Sequence, residues 1–326
     1  RQGVKVMQEI IQPIQKELLK KELNSETFVR HTNKGDNEIY IFNHKNAPQL
    51  LAEVGRLREV TFRAAGGGTG KPTDIDHFDI HPTAPYEQLI VWDPDSKEIL
   101  GGYRFFLCGE AVKDEKGEVH LATSRLFHFS EEFVDNYLPH TLELGRSFVQ
   151  PTYQSSKAGA KALFALDNLW DGLGALTVDH KEIKYFFGKI TMYTHFNSKA
   201  RNLIQYFFSK YFRDKENLVY PYEPVEFDID IQAMEKLFTG NGYKEDYKIL
   251  VQNVRQFGEN IPPLVNAYMN LSPSMKTFGT INNEKFGNVL ETGIILTISD
   301  IYDAKVDRHI ETYIKDKGNY EFPDVE

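Results

Sequence analysis

Apolar side chains recur at Val6, Ile10, Ile14 and Leu18, a spacing that predicts a helix over residues 4–23. Pro13 predicts a kink or a split in it, because proline offers no N–H and its ring crowds the preceding turn. EIYIFN (38–43) reads as a short strand, and residues 46–65 as a helix with Leu50, Val54, Leu57 and Val60 or Thr61 on one side. YEQLIVWDP (86–94) and SKEILGGYRFFLCG (96–109) predict two strands paired as a hairpin around DPDS. Ser130 with Glu131 and Glu132 marks a helix start over 130–138, and TLELGRSFVQ (141–150) alternates as a strand. Residues 155–176 predict a long helix with Ser155 or Ser156 as its cap, 183–193 a strand, and 197–212 a helix opened by Asn197. Residues 213–258 are polar and acidic with mixed periodicity and read as an insertion. IPPLVNAYMNL (261–271) starts a short helix with its prolines in the first turn, and 288–301 is a late strand. No repeat is visible, and the order lacks regular βαβ alternation, so the pattern predicts a single α+β domain with a mixed sheet.

Composition narrows this further. With 326 residues, 41% hydrophobic and 13% aromatic, the chain can bury a sizeable core. A net charge of -9 without a basic face argues against a nucleic-acid partner. The single cysteine, Cys108, excludes an internal disulfide and reads as a small core residue in a strand. No apolar run approaches the ~20 residues of a membrane span. RQGVKVMQEI lacks an initiating Met and the features of a secretory signal, so a cytoplasmic protein is the expectation. The first helix is expected either to pack on the body or to touch the inner face of a membrane peripherally.

The stretch RAAGGGTGKPTDIDHFD (63–79) contains GGGTGK, which looks like a phosphate loop. A P-loop needs G-x-x-x-x-G-K-[ST] between a strand and a helix. Here Ala65 stands at the first glycine position, Pro72 replaces the magnesium-binding hydroxyl, and a helix precedes the loop. The glycines are therefore expected to form a mobile connection. Asp74, Asp76, His77, Asp79 and His81 follow it. Counted as an EF-hand from Asp74, the required Gly and Glu positions hold Asp79 and Pro85, and no zinc spacing is present, so no metal is expected. These carboxylates are expected to pair with arginines, for which Arg104 in GGYR and Arg146 in ELGRS are available.

Arg58 and Phe62, then Asp74, Asp76 and Asp79, then Gly102-Tyr103-Arg104, then Glu143, Arg146 and Ser147 in ELGRS, follow one another in a specific order. That order resembles the acyl-carrier-protein-dependent branch of the GNAT acyltransferase superfamily. It looks most like the hemolysin-like N-acyltransferases that begin ornithine-lipid and glycine-lipid synthesis. Acyl-homoserine-lactone synthases share the Arg, acidic triplet, Arg and Glu-x-x-Arg order. The likeness covers residues 50–212, including LDNLWDGLGAL in the long helix. IPPLVNAYMNLSPSM and the strand at 288–298 resemble the family's PPLL-x-x-YL tail and extend it towards residue 310. The resemblance implies a GNAT fold, a central twisted and mostly antiparallel sheet flanked by helices. Residues 1–45 would be an N-terminal helix and first strand, 46–310 the acyltransferase domain with its insertion at 213–258, and 311–326 a tail. It implies transfer of a long, 3-hydroxylated acyl chain from acyl carrier protein to the α-amine of glycine, or of ornithine, as the first step of aminolipid synthesis. No bound cofactor is implied; the phosphopantetheine thioester is a co-substrate, with acyl-CoA the alternative donor. QPTYQSSKAGAKA departs from the Q/R-x-x-G-x-G/A pyrophosphate loop, which favours the carrier protein.

Acyl transfer to an amine needs a polarised carbonyl, a base and a proton for the leaving thiolate. The resemblance assigns the first to backbone N–H groups near Phe148 and Val149 on a splayed strand. Glu143 is the candidate base, and Tyr206 the candidate proton donor, with Tyr193 and Tyr211 competing. Amides at the start of the long helix, near Ser155 and Ser156, would hold the donor phosphate, and Lys157 and Lys161 would face the acidic carrier or merely solvent. Arg58, Arg104 and Arg146 would either bind the acceptor carboxylate or clamp the three aspartates as a pocket wall. The rival readings are an acetyl-CoA-dependent N-acetyltransferase and a non-catalytic GNAT-like binding module; a comparison of donors and of turnover separates them.

Overall fold

The chain follows its hydrophobic pattern through most of its length. A computed structural model describes residues 6–154, 160–317 and 322–323, with residues 160–163 by backbone only. In chain order the elements are α1 (Lys16–Glu22), β1 (Phe28–His31), β2 (Glu38–Phe42), α2 (Pro48–Ala64), β3 (Glu87–Asp93), β4 (Glu98–Leu107), β5 (Phe127–Phe129), β6 (Thr141–Val149) and α3 (Ala160–Asp179). They continue with β7 (Tyr185–Met192), α4 (Ser198–Tyr211), β8 (Val219–Pro221), α5 (Ile231–Leu237), α6 (Tyr243–Gln256), α7 (Pro263–Met269), β9 (Lys276–Asn283), β10 (Val289–Thr297), α8 (Asp303–Val306) and α9 (Thr312–Asp316). Eight strands form one sheet in the order β1-β2-β3-β4-β6-β7-β10-β9, and β5 pairs with β8 beside it. Its pairings are antiparallel except β6 with β7. This is the α+β, GNAT-like architecture, a large and mostly antiparallel sheet flanked by helices.

Alternation along the strands separates two faces. Leu89, Val91, Leu142, Leu144, Phe186 and Ile190 pack under α3 and α4. Ile90 and Trp92 face the other way, against Leu50, Leu51, Val54 and Leu57 of α2. Further along that second face, Tyr86, Phe106 and Phe187 pack with Phe127 and Phe133. Gln88 and Arg104 lie between these two apolar clusters, so a polar seam crosses the second face. α4 begins as expected, with Asn197 accepting from the N–H groups of Lys199 and Ala200 at 2.9 and 3.1 Å.

β6 and β7 pair over three rungs only, ending with Glu143 opposite Phe187. Beyond that point they part. At the same place β6 carries one extra residue against β4: Gly102 faces Phe148 but Arg104 faces Gly145. Arg146 takes up the extra length in a left-handed conformation, φ 52°, which costs a non-glycine residue on the order of 1–2 kcal/mol. Glycine is required opposite this bulge, because a Cβ on Gly101 would lie 2.4 Å from the Phe148 carbonyl oxygen.

Five segments differ from expectation. Among the described residues of the first stretch only Lys16–Glu22 is helical; Pro13 ends the helical pattern upstream. Gln8 and Ile11 instead donate backbone hydrogen bonds to Gly70 and Pro72 at 2.9 and 3.0 Å, while Val6 is 82% exposed. β1 and β9 were not legible as strands, since neither FVRH nor KTFGTINN shows a clean alternation. Residues 213–258 form β8, α5 and α6, and α6 buries Leu250 and Val254 in the main core. Cys108 is buried as expected but opens a short turn after β4 rather than lying within the strand.

The glycine loop, expected to be mobile, is tied to α2 by one carboxylate. The buried Glu59 carboxylate accepts from the Thr69 N–H at 2.8 Å, from the Thr69 hydroxyl and from the Gly70 N–H at 3.4 Å. Arg63 adds an ion pair to Glu59 at 3.0 Å and donates to the Lys71 carbonyl at 2.9 Å. Loop amides that resemble a phosphate cradle are thus taken by a carboxylate of the same chain. Glu59→Ala should raise hydrogen exchange of the Thr69 and Gly70 amides roughly tenfold, since losing a buried partner costs about 1–3 kcal/mol. Exchange mass spectrometry reads this, and unchanged rates would refute the anchoring role.

Candidate active site

α2 and the loop after it deliver Arg58, Asp74, Asp76 and Asp79 to the polar seam of the sheet. Arg58, with no exposed surface, donates to both Asp79 oxygens at 3.1 and 3.2 Å and to Gln88. Gln88 returns a bond from Nε2 to Asp79 at 2.8 Å. Arg104 grips Asp76 in two places, at 2.6 and 2.9 Å, and lies 3.1 Å from Asp79. Arg146 pairs with Asp74 at 2.9 Å, an ion pair whose N–H is not aimed along a hydrogen bond, and stacks over Phe286 at 4.4 Å. All three arginines are thereby engaged with the three aspartates. Burial alone would raise the Asp79 carboxyl, but Arg58 and Arg104 outweigh it and hold it far below the usual carboxylate range. Asp76 is lowered in the same way, against its burial, mainly by Arg104.

Two cavities meet beside this network. The more polar of the two, about 850 Å³, is walled by Asp74, Asp76, Arg104, Arg125, Arg146 and Lys189 together with Phe78, Leu121 and Phe127. The apolar one, about 910 Å³, is lined by Phe62 of α2, Leu144, Phe148 and Val149 of β6, Leu166 and Leu169 of α3, and Leu264 and Tyr268 of α7. Since α2 and α3 cover opposite faces of the sheet, this cavity passes through the gap where β6 and β7 part. Arg146, Lys189 and Phe286 wall both cavities. Ser147 lines the apolar one, and Phe62 packs edge-on against Phe286 at 5.1 Å.

The two expected catalytic side chains lie elsewhere. Glu143 is buried behind the polar cavity, accepting from Tyr86 Oη at 2.8 Å and Thr123 Oγ1 at 2.7 Å. Burial raises its pKa, against the pull of those two hydrogen bonds. Both oxygens are committed to protein donors, so this carboxylate fastens the 121–125 segment to the sheet. Tyr206 stacks on Phe238, 5.6 Å between centroids, at the contact of α4 with the residues after α5. Tyr211 donates to Asp246. Tyr193 does line the apolar cavity; burial, with Glu291 nearby, pushes its hydroxyl up to about 12. Ser155, Ser156 and Lys157, and the Lys161 side chain, lie outside the described residues.

Reasoning from the sequence missed Glu291, Lys189, Asn283 and Arg125. Glu291 on β10 lines the apolar cavity and accepts from Lys189 at 2.9 Å, Asn283 at 3.0 Å and Thr191 at 3.1 Å. Burial would raise its pKa, but Lys189 overcomes this and keeps it lowered. Arg125 lies in a turn before β5, Lys189 on β7, Asn283 on β9 and Glu291 on β10, so no local motif marks them. Among the described residues the one cluster of metal-ligand type is Asp167, Asp171 and His309, away from both cavities and tied to Arg308 and Asn33. No described helix is long and apolar enough to cross a membrane.

Residues 57–163 match the family described as "Acetyltransferase (GNAT) domain". The match and the mostly antiparallel sheet define a GNAT-superfamily domain. The chain is 54% identical over 309 residues to the glycine N(alpha)-acyltransferase of Phocaeicola vulgatus, covering 95% of this chain and 94% of that one. It is 55% identical over 309 residues to the protein of the same name from Bacteroides thetaiotaomicron, covering 95% and 91%. The chain belongs to the family that these two proteins represent. A solved structure of FeeM, an N-acyl amino acid synthase from uncultured soil microbes, aligns with a TM-score of 0.41 at 10% identity, over 82% of this chain and 94% of that one.

The ion network makes an acid-stability prediction. Asp76 and Asp79 are held below an unfolded value near ~3.9, so their stabilisation is complete above that pH and is lost as pH falls through their folded values. Arg104→Gln removes the main charge on Asp76 and one of two on Asp79. Acid unfolding followed by circular dichroism should then move upward by on the order of one pH unit. An unmoved midpoint would show that the arginine does not stabilise the aspartates.

Proposed function

We propose that this protein transfers a long, 3-hydroxylated acyl chain from acyl carrier protein to the α-amine of glycine, the first step in making an aminolipid. The observation that carries this reading is the apolar cavity running through the parted strands into a polar one. An acetyl group would use little of about 910 Å³, whereas a long chain would fill it with apolar contacts. The names of the two curated relatives support glycine over ornithine as acceptor. The missing pyrophosphate-loop pattern in QPTYQSSKAGAKA supports the carrier protein over coenzyme A.

In this reading the thioester lies in the gap between β6 and β7. N–H groups of β6 near Phe148 and Val149 that point away from β4 receive the developing oxyanion. The amine attacks the carbonyl carbon from the polar side, and the C–S bond breaks. Glu291, which unlike Glu143 lines the cavity, takes the amine proton directly or through a water, on the lone pair that Lys189, Asn283 and Thr191 leave free, in place of Glu143. Tyr193, protonated at neutral pH, donates a hydrogen bond to the leaving sulfur, in place of Tyr206. Arg58, Arg104 and Arg146 with their aspartates hold the wall of the acceptor cavity.

Purified protein given long-chain acyl carrier protein and glycine should yield N-acyl-glycine by mass spectrometry, with less from ornithine or from acyl-CoA and none from acetyl-CoA. Turnover of acetyl-CoA alone, or of no amine at all, would replace this reading with one of the two rivals. Glu291→Gln should lower kcat/KM on the order of a hundredfold, within the usual range for a lost acid–base group, while Glu143→Gln should cost less than tenfold. The reverse order would return the base to Glu143.

A further inference from the structure

The cations around the polar cavity are not equivalent. Arg104 is held by Asp76 and Asp79, Arg146 by Asp74, and Lys189 by Glu291. Lys71, Arg125 and Lys285, all exposed at the cavity's edge, have no carboxylate partner among the described residues, and of the three Arg125 is the one that a buried side chain holds in place. Arg125 Nη2 donates to the Asn283 side-chain oxygen at 3.0 Å, and the rest of its fork is uncommitted. Asn283 is itself buried and donates from Nδ2 to Glu291 at 3.0 Å. One carboxamide therefore fixes a free guanidinium on one side and a carboxylate on the other. Arg125 and Asn283 wall the polar cavity, while Glu291 faces the apolar one. The chain Arg125–Asn283–Glu291 crosses the junction where Arg146, Lys189 and Phe286 belong to both.

A free amino acid carries the complementary charges, an ammonium and a carboxylate on one carbon. We infer that Arg125, oriented by Asn283, binds the carboxylate of the amino-acid acceptor, and so turns its amine towards Glu291 and the thioester. This rests on the amino-acid acceptor reading above. A guanidinium fork suits a carboxylate in two places, and Arg125 retains the N–H groups to do so. Arg58 and Arg104 of the recognisable motif cannot serve as freely, because each is hydrogen-bonded to an aspartate, and Arg146 is ion-paired to Asp74 and stacked on Phe286. Burial lowers the pKa of Arg125, and Glu291, Arg146 and Asp76 act on it electrostatically, which places it within the field of the junction. Its position is maintained by Thr123, two residues earlier, whose hydroxyl is fastened to Glu143 at 2.7 Å.

The test compares glycine with glycinamide, which lacks the carboxylate charge, using one long-chain acyl-carrier-protein donor. Wild type should prefer glycine. In Arg125→Gln the KM for glycine should rise about tenfold to a hundredfold, the cost of a lost charged hydrogen bond. Glycinamide turnover and the KM for the donor should stay at wild-type values, and Arg125→Lys should recover part of the glycine preference. Four results would overturn the assignment: an unchanged KM for glycine, an equal loss on both acceptors, a raised KM for the donor alone, or an Arg125→Lys no better than Arg125→Gln. The third would move Arg125 to the donor phosphate. If wild type acylates another amino acid, that acid and its amide replace the pair. If it acylates no amino acid, the acceptor reading itself falls, a result distinct from the loss of Arg125 alone.

Discussion

Parallel pairing between β6 and β7 stops after Glu143 and Phe187, and the whole arrangement of the cavities depends on that stop. A sheet that stayed closed would present a continuous wall, with α2 and α3 isolated on its two faces. Once the strands part, an apolar passage joins those faces and opens beside the charged seam. The bulge at Arg146 belongs to the same event. It adds a residue to β6, turns the Arg146 side chain towards Asp74, and brings β4 so close that Gly101 has no room for a Cβ. Strain at Arg146 is offset by its ion pair and its stacking on Phe286.

Charge is buried beside this opening, and burial of charge demands partners. Arg58 and Asp79 have no exposed surface, and Arg104 has almost none. Their mutual bonds make the acidic loop a fixed wall and leave no free carboxylate or guanidinium among them for a substrate. Glu59 does the same for the glycine loop, and Glu143 for the segment that carries Arg125. Ionisable residues in one stretch of chain thus divide into those that build the wall and those that face the cavity. The division reflects which of them found a partner within the fold.

Local pattern carried much of this structure. The hairpin of β3 and β4, the run of α2, the cap of α4 at Asn197 and the late strand β10 all arise from periodicity and turn chemistry. β1 and β9 did not, because their residues alternate poorly and are held as strands by their neighbours. Of the helix expected over 4–23, the described residues keep only the part after Pro13, while Gln8 and Ile11 bond to Gly70 and Pro72. The order of Arg58, the aspartates, Arg104 and Glu143 to Arg146 was enough to recognise the superfamily and to place these residues near one another.

Their individual roles were a different matter. ELGRS puts Glu143 and Arg146 on one strand, but chain order cannot say which side chain faces solvent when a bulge reverses the alternation between them. Likewise nothing local connects Arg125, Lys189, Asn283 and Glu291, which reach one junction from four separate segments. Periodicity is a property of neighbouring residues and survives in the linear chain. A charge balance is a property of distances, and it exists only once β6, β7, β9 and β10 lie side by side.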